Sequence, residues 1–475
     1  MFDDEWNEDD DFASSIEELL KEYESIKKGE AVRFWNEQEF ELVIDYFYQN
    51  NQEAEALIAC EIALVHHPFS SEFYILKAEL LFQSQKYRQA ISVLDELDTK
   101  EQLIIEAIIL RSDILVAQLK YDQAAMYLEQ MAQQFTGKDR IEIMLELAEV
   151  YDECEQLDAV FDILKAILEM DPSNEEALHK ICYWADFAEK QEESIVLHQK
   201  LIDQSPYNAL AWFNLGSAYQ GLKLYEKAID AYEYCVAIDD KFEFAYRNMA
   251  DAYMRLKWYD KAIESLEKNL ELGKPEDVIF EAIGHCFEKK KNYPQARHYY
   301  LEATRLNPTD DGIYFKIGQT YAMENEWEKA LKQFGKAYEL NKENVTYCLA
   351  LGNCLLALNE GVEAIACFLT AVKLKTNFKK SWLALIRCLY LFGFYEEAQE
   401  QLLESRNFCE QSADFLYYHS MILFALGKTK EAMIKLEDAL EEAPRKLKIV
   451  EELNADIMHR KSVIDLVAKY KKSGK

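Results

Sequence analysis

Apolar residues recur at intervals of three and four with charged residues between them, as in LYEKAIDAYEYC from Leu224 to Cys235. That is the spacing of a helix with one buried face. The pattern also repeats on a longer scale. Steps of 34 residues from Ala228 reach Ala262, Ala296, Ala330, Ala364, Ala398 and Ala432, and backward steps reach Ser194 and Val160. One step of 36 then leads to Ala124, Ala90 and Ala56, giving twelve units. A fixed period in this range predicts a repeat architecture, in which no single unit buries its apolar face alone and stacking completes the core.

Other positions keep the same register. Trp212, Tyr246, Phe280, Tyr314 and Trp382 lie sixteen residues before the small residue, and Tyr225, Tyr259, Tyr293, Trp327 and Tyr395 lie three before it. Gly216, Gly284, Gly318 and Gly352 share one slot, where a helical glycine costs ~1 kcal/mol and implies close helix contact. Five of the seven prolines, Pro68, Pro172, Pro206, Pro308 and Pro444, share another and stop the second helix of a unit.

This set of residues resembles the tetratricopeptide repeat family, whose pattern places W, L, G, Y, A, F, A and P along each unit. Trp212, Leu215, Gly216, Tyr219, Ala228 and Tyr232 match it best, and Phe280, Ile283, Gly284, Phe287, Ala296, Tyr300, Ala303 and Pro308 also follow it. With the small residue numbered position 20, the resemblance implies an all-α superhelical solenoid of antiparallel helix pairs over residues 37–444. Repeats 37–70, 141–174 and 175–208 match least, with Ile44, Ala148 and Cys182 in the glycine slot. The two extra residues fall near Gln133 to Arg140, where either an inserted loop or a hinge fits.

The ends differ from the repeats. Residues 1–12 hold seven acids and no base and are expected to be a disordered head. Residues 13–36 are expected to form a capping helix and linker, with Ser15 and Glu18 as a capping box and Ile16, Leu19, Leu20 and Tyr23 as its apolar stripe. Residues 445–475 carry nine bases against four acids and read as a helical cap, a degenerate thirteenth repeat with Val450, Leu453, Ile457, Leu466 and Tyr470 in apolar slots. Opposite charge at the two ends suggests head-to-tail self-association.

Composition narrows the chemistry. Acids outnumber bases 87 to 53, a balance that repels nucleic acid. No apolar run suffices for a membrane span, the start lacks a secretory signal, and a cytoplasmic protein is expected. Ten unevenly spaced cysteines without a CxxC pair read as buried residues in a reducing compartment. His66 and His67 are adjacent and would face ~100° apart on a helix, a poor metal pair. No nucleotide, hydrolase or zinc-protease motif occurs, so neither enzyme activity nor a metal or cofactor is expected.

Binding remains. The resemblance implies a concave groove lined by repeat positions 2, 5, 6, 9, 12 and 13. Phe213, Asn214, Arg247 and Asn248 are candidates to hold an extended peptide backbone, with a solvated groove wall as the alternative. Leu383, Arg387, Tyr390, Tyr417, Tyr418 and Phe424 make an apolar stretch that either a partner or the chain's own basic tail would cover. The expected function is a non-catalytic scaffold or adaptor that binds peptide segments or helices of other proteins, basic ones favoured by charge. The alternative is a regulatory subunit of an enzyme or secretion assembly.

Overall fold

A computed structural model describes residues 7–30, 33–98 and 104–473, which form 27 α-helices and no strand. They divide into two compact units, Met1–Asp240 and Lys241–Lys475, each considered by itself. In the first unit α1 (Asn7–Lys27) precedes six helix pairs. These begin with α2 and α3 (Glu37–Gln49, Glu53–His66), α4 and α5 (Ser71–Gln83, Tyr87–Asp98), and α6 and α7 (Ile105–Ala117, Tyr121–Ala132). They continue with α8 and α9 (Gly137–Glu153, Leu157–Met170), α10 and α11 (Glu175–Phe187, Gln191–Gln204), and α12 and α13 (Ala209–Gly221, Tyr225–Ile238).

The second unit repeats the scheme with α14 and α15 (Glu243–Arg255, Tyr259–Leu272), α16 and α17 (Asp277–Lys289, Tyr293–Leu306), and α18 and α19 (Asp311–Met323, Trp327–Leu340). Then come α20 and α21 (Val345–Ala357, Gly361–Leu374), α22 and α23 (Lys379–Leu391, Tyr395–Ser405), and α24 and α25 (Ala413–Ala425, Thr429–Glu442). A 3-10 turn at Pro444–Leu447, α26 (Lys448–Leu453), a second 3-10 turn at Ala455–His459 and α27 (Lys461–Ser473) close the chain. Within each unit the second helix of a pair packs on the first helix of the next.

The 34-residue register is the register of closest approach. All twelve residues at position 20, Ser194 and Val160 included, are at most 1 % exposed. The glycine slot faces an aromatic ring sixteen residues on. A Cβ placed on Gly216, Gly284, Gly318 or Gly352 would stand 2.5 or 2.6 Å from Tyr232, Tyr300, Phe334 or Phe368. In α11 that ring slot, sixteen residues after Cys182, holds His198 instead, fully buried with its Nδ1 2.7 Å from the Ser194 carbonyl. Burial pushes His198 down to about 4, so it is neutral in the core.

The turn inside each pair is also periodic, which the sequence did not announce. Asn51, Gln85, Leu119, Glu155, Glu189, Lys223, Lys257, Lys291, Asn325 and Asn359 all have φ between 54° and 64°, and Gly393 and Gly427 continue the series. The residue after each returns its amide to the first helix, as Leu224 N–H does to the Tyr219 carbonyl at 2.9 Å. This closes the helix end in a left-handed turn that L residues other than Asn adopt at a cost.

The two inserted residues are neither loop nor hinge. They lengthen α8, which starts at Gly137 and has 17 residues where the other first helices of a pair have 13. Gly137 takes φ +64° at its first residue. The weakly matching repeats still form helix pairs.

Both ends are capped. α1 begins at Asn7, so Ser15 lies inside the helix and is not its N-cap, and residues 7–12 of the acidic head are helical; residues 1–6 lie outside the described set. Leu19 and Tyr23 of α1 join Trp35, Phe40, Val43 and Phe47 in one apolar cluster. His67 follows α3 as its C-cap, with Nε2 2.9 Å from the Trp35 carbonyl. At the far end α26 packs on α24 and α27 on α25, so they take the places of a first and a second helix, the former broken by 3-10 turns. Val450, Ile457 and Val463 are buried there.

These contacts separate two kinds of glycine. Gly318→Ala forces a methyl group onto Phe334 and should lower stability by ~1–3 kcal/mol. Gly335→Ala in α19, where a Cβ meets nothing within 4 Å, should raise it by about 1 kcal/mol. Unfolding midpoints of the two variants should therefore move in opposite directions.

Candidate functional surfaces

The first helix of each pair carries both core residues and exposed slots. Within the first unit α4 touches α6, α6 touches α8, and α10 touches α12, and the Lys180–Glu149 ion pair links α10 to α8, so these helices form a row. Acids occupy two of its slots in succession: Glu72, Glu106, Glu142 and Glu176 at position 2, and Asp45, Glu79, Asp113 and Glu149 at position 9.

Seven of these eight are exposed and Asp113 is half-buried, and four carboxylates of the same helices are held above the ordinary carboxylate range. The Glu41 carboxyl is raised by burial and then by Glu72, Glu79 by burial, and Asp113 by burial and then by Glu149. Glu146 is pushed up to about 7 by burial and then by Asp113 and Glu149. Lys180 answers part of this charge: its Nζ stands 2.9 Å from Glu149 and 2.8 Å from Glu176. One turn further along α10, Tyr183 and Phe187 are 56 % and 55 % exposed, their rings 4.4 Å apart, and Trp184 meets Tyr183 edge-on at 5.1 Å.

The chain's charge is concentrated here. Residues 1–240 hold 18 Lys and Arg against 52 Asp and Glu, whereas residues 241–475 hold 35 of each. The whole formal charge of −34 therefore belongs to the first unit.

The residues singled out from sequence fall into three groups. Phe213 and Asn214 belong to the first unit. Asn214 is buried: its Nδ2 donates to the Leu178 carbonyl at 2.7 Å and ties α12 to α10, while its Oδ1 is buried without a hydrogen-bond partner. Phe213 is half-buried with its ring 5.8 Å from that of Tyr232. Arg247 and Asn248 belong to the second unit; Arg247 is exposed and pairs with Glu276 at 3.2 Å, and Asn248 is half-buried.

In the apolar stretch the chain's own tail is the occupant. Helix α26 packs on α24, the helix that carries Tyr417 and Phe424, and the Arg460 guanidinium lies 5.3 Å from the Phe424 ring, while the Tyr417 hydroxyl donates to the Ala443 carbonyl just ahead of the tail at 3.0 Å. Tyr390, Tyr417 and Phe424 are buried in one cluster with Leu447, Val450, Ile457 and Val463. They are therefore core and not open groove wall. Lys446 pins the tail to Asp414 at 2.6 Å. Leu383 and Tyr418 remain half-buried, and Arg387 is exposed.

What sequence reasoning missed is the pair Tyr183 and Phe187 and the acidic rows beside it. The same 34-residue step, applied to acids, finds Asp45, Glu79 and Asp113, and the 36-residue step finds Glu149.

Family models described as Tetratricopeptide repeat match residues 209–242, 245–272 and 282–342, and one described as "Anaphase-promoting complex, cyclosome, subunit 3" matches residues 49–131. With the helix pairs above, the chain is a tetratricopeptide repeat protein, of a class that serves as protein–protein interaction scaffolds. No curated protein matches it. Among solved structures, YrrB, a TPR protein with an unusual peptide-binding site, is 21 % identical; the match covers 39 % of this chain and 95 % of that one, with a TM-score of 0.35. A chain of the APC/C hetero-tetramer Cut9–Hcn1 is 15 % identical over 92 % and 90 %, with a TM-score of 0.35. A tetratricopeptide repeat protein from Parabacteroides merdae is 18 % identical over 52 % and 97 %, with a TM-score of 0.37. Among the described residues no helix is long and apolar enough to cross a membrane.

Two outcomes follow. Deleting residues 448–475 uncovers Tyr390, Tyr417 and Phe424, and light scattering and thermal melts should show aggregation and a lower midpoint. Glu146 binds its proton more tightly folded than unfolded. Its stabilising contribution is thus present below the ordinary value of 4.5 and lost as pH rises through about 7. Glu146→Gln should raise the unfolding midpoint at pH 8, by ~1 kcal/mol after allowance for solvent screening, and lose that advantage at acid pH.

Proposed function

We propose that this protein is a non-catalytic scaffold or adaptor that binds peptide segments or helices of other proteins along the first helices of its repeats. The observation that carries this reading is the row of first-helix side chains in the first unit. The acids at position 9 and the exposed rings of Tyr183 and Phe187 lie outside the core clusters, and the position-2 acids Glu72, Glu106 and Glu176 stand in the first turn of their helices. Large exposed aromatics beside charged groups are the composition of a recognition surface. The free thiols Cys154, Cys182, Cys367 and Cys409, all partly exposed, suit a reducing compartment.

A second reading is a subunit of a larger assembly whose catalysis lies on another chain. The match of residues 49–131 to a family described as a subunit of the anaphase-promoting complex favours it. Size-exclusion of the protein from its native source separates the two: a stable stoichiometric complex supports the subunit reading, and a chain that elutes alone supports the adaptor.

The test common to both is site-directed photo-crosslinking. A photoreactive residue at Tyr183 on α10 should give discrete polypeptide adducts, and one at Met126 on α7, 69 % exposed on a second helix, should give none. Equal labelling at the two positions would sink the reading.

A further inference from the structure

We propose that the first-helix row from α6 to α10 docks an amphipathic, cationic segment of another polypeptide, with its apolar side chains on Tyr183 and Phe187 and its Lys or Arg residues against the flanking carboxylates. The inference rests on the scaffold reading and adds the partner's chemistry and the place where it binds.

The apolar part is the ring pair of α10. Tyr183 and Phe187 are one turn apart on the same helix, tilted 40° to each other, and more than half of each is exposed. Aromatic faces of this kind accept aliphatic side chains, and also Lys and Arg through the negative potential of the ring.

Charge complementarity selects the occupant. Half-buried Glu146 on α8 and Asp113 on α6 stand near exposed Glu149, whose charge raises the proton affinity of both, and Asp113 also raises that of Glu146. An incoming cation would relieve that mutual repulsion, and the chain already shows the geometry. Lys180, one turn before Tyr183, extends its ammonium from α10 between Glu149 and Glu176. A ligand ammonium or guanidinium would extend the same arrangement towards Glu146 and Asp113. The surrounding unit, with 52 acids against 18 bases, disfavours nucleic acid and anionic membrane and steers basic segments inward.

The experiment is fluorescence anisotropy with full-length protein and a labelled helical peptide built from Lys-Leu-Leu-Lys repeats, beside its twin with Glu for Lys. The basic peptide should bind, several-fold more weakly at ~0.3 M than at ~0.05 M salt, and the acidic twin should not. The double variant Tyr183→Ala, Phe187→Ala should weaken binding on the order of tenfold, and Glu149→Gln should weaken it less and lower the salt dependence. All three side chains are exposed, and circular dichroism checks that the variants keep their helices.

Met323→Ala, an exposed residue of α18 in the second unit, should leave binding unchanged. The proposal is overturned if the twin binds equally, if the aromatic double variant binds like the parent, or if only Met323→Ala loses affinity. A protein whose mass rises with concentration at low salt and which then excludes the peptide has its own basic tail as the occupant, and this also overturns it. If neither peptide binds while the probe at Tyr183 still crosslinks a polypeptide, the scaffold reading survives and the cationic partner does not. Loss of both signals removes both.

Discussion

The structure depends on helices approaching so closely that one slot in each repeat is sealed from solvent and holds alanine in ten of the twelve. Position 20 is sealed in all twelve repeats, and where the neighbouring first helix carries glycine, a ring lies in the space its side chain would take. Neither helix of a pair supplies enough apolar surface to hold itself, so each stays folded because the next pair covers it. His198 marks where this logic is weakest: a neutral imidazole fills a space that rings or aliphatic chains fill elsewhere.

Because closure uses a fixed subset of positions, the remaining slots are free to differ, and the two units use that freedom differently. The first lines its first helices with carboxylates, the Lys180 bridge and an aromatic pair. The second balances its charges and, near the end, turns its apolar slots inward beneath the tail. The same backbone scheme thus carries a row of exposed carboxylates in one half and a tail-covered last pair in the other.

Most of the fold was legible because its constraint is written in residue types: alanine where helices touch, glycine beneath rings, proline where the second helix stops. The left-handed turn was not, since ten of its twelve residues are not glycine and hydrogen bonds, not residue type, hold the conformation. The insertion before α8 looked like a loop because of Gly137, yet the residues after it are compatible with helix and simply extend one. At the candidate site, residue type shows that Asn214 is polar but not where its amide points, and the Leu178 carbonyl claims it. The apolar character of Tyr417 and Phe424 was legible, whereas the choice between tail and outside partner was not, because both meet the same need. The acidic rows were hidden by the total: a sum over 475 residues does not say that one half is neutral.

The tail shows how little of the repeat pattern this packing requires. Residues 448–473 lack the recurring alanine and glycine, and their first helix is broken by 3-10 turns, yet α26 sits on α24 and α27 on α25 as a regular pair would. A few buried aliphatic side chains, Val450, Ile457 and Val463, suffice to cover the preceding pair.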